Sequence, residues 1–246
     1  MRRYGLIGYP LTHSFSQRYF TEKFEREGIR DCAYLNFPIE NIDELPGLLG
    51  DDALCGLNVT IPYKQAVLPY LHHKSEVVNA IGACNCIRIE KGALTGYNTD
   101  VAGFERSLFP LVMEHDHLRA LILGRGGAAK AVEYVINRMG FSYRVVTRGP
   151  KKDITDLYYE EVDESVMSLY KLIINTTPLG MYPHVDECPP LPYEAMGPDH
   201  ILFDLIYNPA RTLFLKKGEE RGAVVENGHK MLVLQAEESW RIWQEP

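Results

Sequence analysis

The chain has 246 residues, 46% hydrophobic and 24% charged, which fits one large or two small folded domains and argues against disorder. Its net charge of −7 disfavours a nucleic-acid role, because phosphate binding needs a strong basic stripe. No stretch approaches the roughly 18 apolar residues of a membrane span, and the start lacks the apolar run of a signal peptide, so a cytoplasmic protein with no membrane partner is expected.

The short apolar run Tyr4–Gly8 reads as a strand opening into the loop Gly8-Tyr9-Pro10. Ser16 to Glu27 has helical spacing, with Tyr19, Phe20 and Phe24 on one side and Gly28 as the stop. Ala33–Pro38 and Leu57–Ile61 read as strands, and Cys86–Ile89 with Ala93–Tyr97 as a hairpin around Lys91-Gly92. The character changes at Arg119–Leu123, a continuous apolar strand running into Gly124-Arg125-Gly126-Gly127-Ala128-Ala129 and a helix stopped by Gly140. Tyr143–Thr147, Leu172–Asn175, Ile201–Asp204 and Ala223–Glu226 are further strands, and Lys230 to Gln244 is an amphipathic helix. This alternation predicts an α/β protein whose later part is a doubly wound parallel sheet. Between Thr147 and Leu172 there is a proline, Pro150, and no long amphipathic run, so that crossover is expected to be trimmed or irregular.

Gly124-x-Gly126-x-x-Ala129, with a strand before it and a helix after it, fits the dinucleotide-binding fingerprint. Gly124 permits the tight turn, Gly126 lets the backbone approach a pyrophosphate, and Ala129 keeps the helix, whose amides face the phosphates, close to the sheet. An NAD site puts a carboxylate at the end of the next strand. This chain has Thr147-Arg148 there, followed by Lys151 and Lys152, which suits the 2′-phosphate of NADP.

Four polar patches mark the first hundred residues. Ser14-Phe15-Ser16 opens a helix, where two hydroxyls either cap the helix or, with its amides, hold a carboxylate. Asn58-Val59-Thr60 puts Asn58 and Thr60 on one face of a strand, with Lys64 just beyond. Asn85 and Asn98-Thr99-Asp100 follow. Lys64 and Asp100 are either ordinary surface charges or an ion pair that holds and tunes a proton-transfer group, which reduction of a ketone by hydride requires. Five cysteines, an odd number in a long chain, read as reduced thiols. Cys84-x-Cys86 has no second pair at zinc-like spacing, so no metal site is expected.

Taken in order, the motifs resemble those of the shikimate dehydrogenase family over nearly the whole chain. They are Gly8-Tyr9-Pro10-Leu11-x-His13-Ser14-x-Ser16, Asn58-Val59-Thr60-Ile61-Pro62-x-Lys64, Gly82-Ala83-x-Asn85, Asn98-Thr99-Asp100 and Gly124-x-Gly126-Gly127-Ala128. Asn175-Thr176-Thr177-Pro178-Leu179-Gly180-Met181, Asp204-x-x-Tyr207-Asn208-Pro209 and Met231-Leu232-x-x-Gln235-Ala236 complete the set. The resemblance implies a substrate domain over 1–101, completed by the C-terminal helix 229–246, and a Rossmann-like NADP domain over 102–228, with a cleft between them. It implies reversible reduction of 3-dehydroshikimate to shikimate with NADPH, on the route to chorismate and the aromatic amino acids. Lys64 is then the acid/base with Asp100 beside it. Ser14 and Ser16 hold the substrate carboxylate, Asn58, Thr60, Asn85, Asp100 and Gln235 bind its hydroxyls, and Tyr207 lines the site. Thr147 and Arg148 fall at the 2′-phosphate, Thr177, Pro178 and Met181 along the ribose–nicotinamide path, and Gly228 at the nicotinamide amide.

The chain departs from the family pattern at Thr147 (usually Asn), Gly149 (usually Thr), Arg125 (usually a small residue) and Cys86 (usually Thr). The first two fall at the 2′-phosphate end, where Lys151 and Lys152 are the replacement cations. Two other readings use the same scaffold: a quinate/shikimate dehydrogenase working with NAD, and a non-catalytic sensor of a shikimate-type ligand. Monomer and homodimer both remain open.

Overall fold

Two six-stranded sheets organise the chain, as seen in a computed structural model that describes residues 1–11, 15–115 and 117–245. The chain divides into one unit of Met1–Thr99 with Ala236–Pro246 and a second unit of Asp100–Gln235.

The first unit contains β1 (Arg2–Gly8), α1 (Phe15–Glu27), β2 (Cys32–Pro38), α2 (Leu45–Leu48), β3 (Leu54–Val59), α3 (Tyr63–Ala66), β4 (His73–Lys74), α4 (Glu76–Ile81), β5 (Cys86–Glu90) and β6 (Ala93–Tyr97). Its strand order is β2-β1-β3-β5-β6-β4. β1 runs parallel to β2 and β3, whereas β5 runs antiparallel to β3 and β6. The expected hairpin is present, and both turn residues, Lys91 and Gly92, take positive φ, as a tight turn matched to the twist of its strands demands. The strand expected over Leu57–Ile61 starts earlier and stops at Val59. From there Thr60 hydrogen-bonds back to β1 through its amide, and the chain turns into α3.

The second unit follows with α5 (Thr99–Val112), β7 (Arg119–Leu123), α6 (Gly127–Arg138), β8 (Ser142–Thr147), β9 (Leu157–Tyr158), α7 (Glu164–Leu169), β10 (Leu172–Asn175), β11 (Ile201–Asp204), α8 (Leu213–Glu219), β12 (Val224–Glu226) and α9 (His229–Gln244). Its sheet is ordered β12-β11-β10-β7-β8-β9, with every pair parallel. The chain starts in the middle at β7, winds outward through β8 and β9, then returns to β10 and winds the other way. That is the doubly wound arrangement, with its switch point between β7 and β10. Leu121, Ile122, Leu123, Ile173 and Ile174 are fully buried, which explains why these strands read as unbroken apolar runs rather than alternating ones. The connection from β8 to β9 spans only residues 148–156 and contains no helix, and α7 is short, so the crossover is trimmed as expected.

Helix α5 was not legible beforehand. Val101, Phe104, Leu108 and Val112 are buried at helical spacing, but Gly103 and Pro110 interrupt the pattern. Gly103 is there for packing: a Cβ at that position would stand 2.7 Å from the Met231 carbonyl oxygen and 3.0 Å from Gln235 Cβ, so only glycine admits α9 this closely.

The last turns of α9 belong to the first unit. Trp243 stacks on Tyr4 with ring centroids 4.9 Å apart, and its indole N–H donates to the Ile87 carbonyl at 3.0 Å. Its ring covers Gly56, where any Cβ would come within 2.3 Å. Phe20, Tyr34, Ala236 and Ile242 complete this aromatic-rich core. Lys23, almost wholly buried, pairs with Glu27 and Glu237, fastening α9 to α1. Trp243→Ala should therefore cost about 3–5 kcal/mol of unfolding free energy in urea titrations. A loss below about 1 kcal/mol would show that these turns do not complete the core.

Candidate active site

A chain of buried polar groups runs through the first unit. The Tyr34 hydroxyl donates to Asn58 Oδ1 at 2.8 Å, and Asn58 Nδ2 donates to Ser239 Oγ at 2.9 Å and to the Asn85 carbonyl at 3.3 Å. Ser239 and Thr99 hydroxyls lie 3.2 Å apart. Thr99 closes onto Asn85, whose Oδ1 accepts the Thr99 amide at 2.6 Å while its Nδ2 donates to Thr99 Oγ1 at 3.1 Å. Burial drives the Tyr34 hydroxyl well above its ordinary pKa, with a hydrogen bond to Ser16 pulling the other way, so Tyr34 stays a neutral donor. All of these groups are enclosed, and each is used, which is the condition under which a polar network makes an interior more rigid rather than weaker.

Two residues singled out from the sequence, Asn58 and Asn85, belong to this network. Thr60 follows Asn58 at the end of β3, its methyl against Gly8. Lys64 lies half-buried on α3, and its carbonyl accepts the Cys84 amide at 2.8 Å. Thr99 hands the chain directly to Asp100 in the first turn of α5. Ser16 lies in the first turn of α1, and Ser14 lies outside the described residues. Cys84 and Cys86 are buried, and burial pushes the Cys84 thiol up to about 12.

In the second unit the glycine turn stands at the switch point. Gly124 has φ +97°, and a Cβ there would meet Thr177 Cγ2 at 2.8 Å. Gly126 begins α6 without a side-chain cap, and no atom stands within 4 Å of where a Cβ at Gly126 or Gly127 would be. The first amides of α6 thus face open space, which fits a dinucleotide pyrophosphate. Ala128 is half-buried, and Ala129, fully buried, sets α6 against the sheet.

The turn after β10 faces the glycine turn. Thr176 bonds to the Leu123 carbonyl through both its amide (3.0 Å) and its hydroxyl (2.6 Å). Asn175 Oδ1 accepts the Thr177 amide and hydroxyl, while Asn175 Nδ2 donates to Asp204 at 3.1 Å. Asp204, fully buried at the end of β11, also accepts the Ile206 amide and the Thr212 hydroxyl. Burial nevertheless outweighs these bonds and raises its carboxyl to about 6.

The family model for the shikimate dehydrogenase substrate binding domain matches residues 6–87. The shikimate dehydrogenase (NADP(+)) of Carboxydothermus hydrogenoformans is 36% identical over 97% of this chain and 90% of its own length. The chain belongs to the shikimate dehydrogenase family. Among solved structures, the Thermus thermophilus family member in complex with NADP(H) and shikimate is 29% identical, with a TM-score of 0.85 over 99% of this chain and 94% of that one. The quinate dehydrogenase of Corynebacterium glutamicum in complex with NAD is 26% identical, with a TM-score of 0.89 over 99% and 93%. The fold of this family thus carries both cofactors and more than one acid, and the choice rests on individual side chains.

At the end of β8 stands Thr147. It is buried, and its hydroxyl accepts the Gly149 amide at 3.0 Å, so it shapes the turn. Arg148 is exposed. The Lys151 ammonium pairs with Glu161 and lies over the Tyr158 ring, whereas Lys152 is exposed. The Thr177 hydroxyl is engaged with Asn175, and Pro178, Met181 and Tyr207 are exposed. Gly228 is buried, and a Cβ there would fall 2.1 Å from the Leu205 carbonyl oxygen. Gln235 is buried, with its amide donating to Leu232 one turn earlier.

Sequence reasoning missed Tyr34 and Ser239, and it met Asp204 only within a family motif, without a role. The one available signal was a serine on the buried face of an otherwise amphipathic helix. Because Asp204 binds a proton more tightly when folded than its ordinary value of 3.8, the native state keeps a proton the unfolded chain has lost between about pH 4 and 6. Stability should therefore fall as pH rises through that window. In urea unfolding at stepped pH, Asp204→Asn should flatten this fall, and parallel curves for the two proteins would contradict the assignment.

Proposed function

We propose that the protein is an NADP-dependent shikimate dehydrogenase that reversibly reduces 3-dehydroshikimate to shikimate, in the biosynthesis of chorismate and the aromatic amino acids. The observation that carries this reading is a combination within one chain. An uncapped, glycine-lined helix N-terminus lies at the switch point, and an arginine rather than a carboxylate lies at the end of β8. Full-length kinship with NADP(+)-dependent shikimate dehydrogenases supports the substrate.

Substrate recognition is assigned to residues 1–101 and the C-terminal helix, and cofactor recognition to residues 102–228. When bound, NADPH would supply the hydride in reduction and NADP+ would accept it in oxidation. The protein's part is to hold, orient and move a proton. Ser14 and Ser16 take the carboxylate, Ser16 from the first turn of α1. Asn58, Thr60, Asn85 and Gln235 take the ring hydroxyls, with Tyr207 lining the site. The buried bonds to Tyr34, Ser239 and Thr99 fix the two asparagine amides, so their orientation is set before substrate arrives. Lys64 donates its ammonium proton to the carbonyl oxygen in reduction and takes it back in oxidation, with Asp100 assigned to the same proton-transfer pair.

Gly124, Gly126, Gly127 and Ala128 take the pyrophosphate on the α6 amides, and Thr147, Arg148 and Lys151 form the 2′-phosphate end. Thr177, Pro178, Met181 and Gly228 line the path to the nicotinamide. A sensor without catalysis has no need of Lys64, Asp100 and the glycine turn together, and all are present. NAD-dependent quinate chemistry is disfavoured by Arg148, since that cation would have no phosphate to meet.

Lys64→Ala should lower kcat for shikimate oxidation by roughly 10²–10⁴-fold with little change in KM, because the proton matters chiefly in the transition state. An unchanged kcat would remove Lys64 from the chemistry.

A further inference from the structure

The loop that would grip the 2′-phosphate has no helix to support it. Residues 148–156 join β8 to β9, two parallel neighbours, and carry Arg148, Lys151 and Lys152. The loop is gathered instead on one carboxylate. Asp156 is buried, and its Oδ2 accepts the Lys152 amide at 2.8 Å and the Asp153 amide at 2.9 Å. The same oxygen is ion-paired with the guanidinium of Arg125, which comes from the glycine turn and is itself mostly enclosed. Asp153 adds a local brace by accepting the Thr155 amide and hydroxyl, each at 2.8 Å.

Arg125 takes the place between the first two glycines of the turn, and its side chain makes this tether. We infer that Arg125 is a positioning residue for cofactor selection: through Asp156 it fixes the basic loop 148–156 relative to the glycine turn and so secures preference for NADP over NAD. The inference rests on the NADP reading above.

Three physical points support it. First, a buried carboxylate needs a compensating cation, and Arg125 supplies one. Second, a bare carboxylate in this loop would repel a 2′-phosphate, so pairing Asp156 with Arg125 leaves the exposed Arg148 and Lys152 to outnumber the one remaining loop carboxylate, Asp153. Third, short loops lose conformational freedom cheaply only when something rigid anchors them, and Arg125 is anchored between Gly124 at the end of β7 and Gly126 at the start of α6.

One further feature defines the rival outcome. The Arg125 Nε and Nη2 nitrogens are both buried without a hydrogen-bond acceptor among the described residues, so Nη2 meets Asp156 as an ion pair and Nε is what a direct contact with a cofactor phosphate would use.

The test is titration calorimetry of NADP and of NAD into the full-length protein, Arg125→Ala, Asp156→Asn and the double variant, with thermal midpoints to confirm folding. The tether predicts that each single variant loses about tenfold or more in NADP affinity while NAD affinity changes far less. The double variant should then be no worse than either single one, because both break the same link. Equal loss of NADP and NAD affinity in Arg125→Ala, with Asp156→Asn unaffected or tighter, would overturn the tether in favour of direct phosphate contact. Unchanged NADP affinity in both folded single variants would also overturn it. A protein with intact Arg125 and Asp156 that binds NAD as tightly as NADP would instead overturn the underlying reading of the cofactor, and the tether's role in selection with it.

Discussion

The hydroxyl of Ser239 is the point on which the first unit turns. It accepts from Asn58 and meets Thr99, and through them it orders Asn85, so residues far apart in the chain share one buried network. Such a network stabilises only if every member is satisfied, since an unmet polar group in an apolar interior costs more than a met one returns. The apolar contacts around it serve that requirement. Trp243 lies on Gly56 and Tyr4, Phe20 stacks on Tyr34, and Lys23 with Glu237 fastens the helix from the other side. The side chains that would meet substrate are therefore held by a scaffold assembled from both ends of the chain.

The second unit solves a different problem with the same economy of groups. A doubly wound parallel sheet concentrates the carboxyl ends of its strands at one edge, and the switch point leaves an opening there. Gly124 and Thr176–Thr177 line the two sides, while Asn175 and Asp204 knit the turns behind them. On the β8–β9 side, where a crossover helix would ordinarily support the loop, an ion pair between Arg125 and Asp156 stands in its place. Thr147 and Gly149, which depart from the family pattern, are hydrogen-bonded to each other and shape the start of that loop.

Much of this was legible in the residues. The strands of the second sheet were visible because burial on both faces leaves an apolar run, and the glycine turn was visible because backbone geometry restricts what can stand there. The family motifs named the substrate and cofactor because they span nearly the whole chain. Helix α5 was hidden by Gly103 and Pro110, although Gly103 turned out to mark close packing against α9 rather than a break. Ser239 and Tyr34 were hidden for a different reason: their roles depend on partners distant in sequence. Arg125 was visible as an oddity in the glycine turn, but only its pairing with Asp156 gives it a purpose.

The central claim is oxidation of shikimate with NADP, and the direct measurement is absorbance of the reduced nicotinamide when purified protein is mixed with shikimate and either NADP or NAD. Rapid reduction of NADP, with NAD reduced far more slowly, is the expected result. Reduction chiefly of NAD would contradict the reading of Arg148. Reduction of neither, with shikimate still bound, would contradict the assignment as an enzyme.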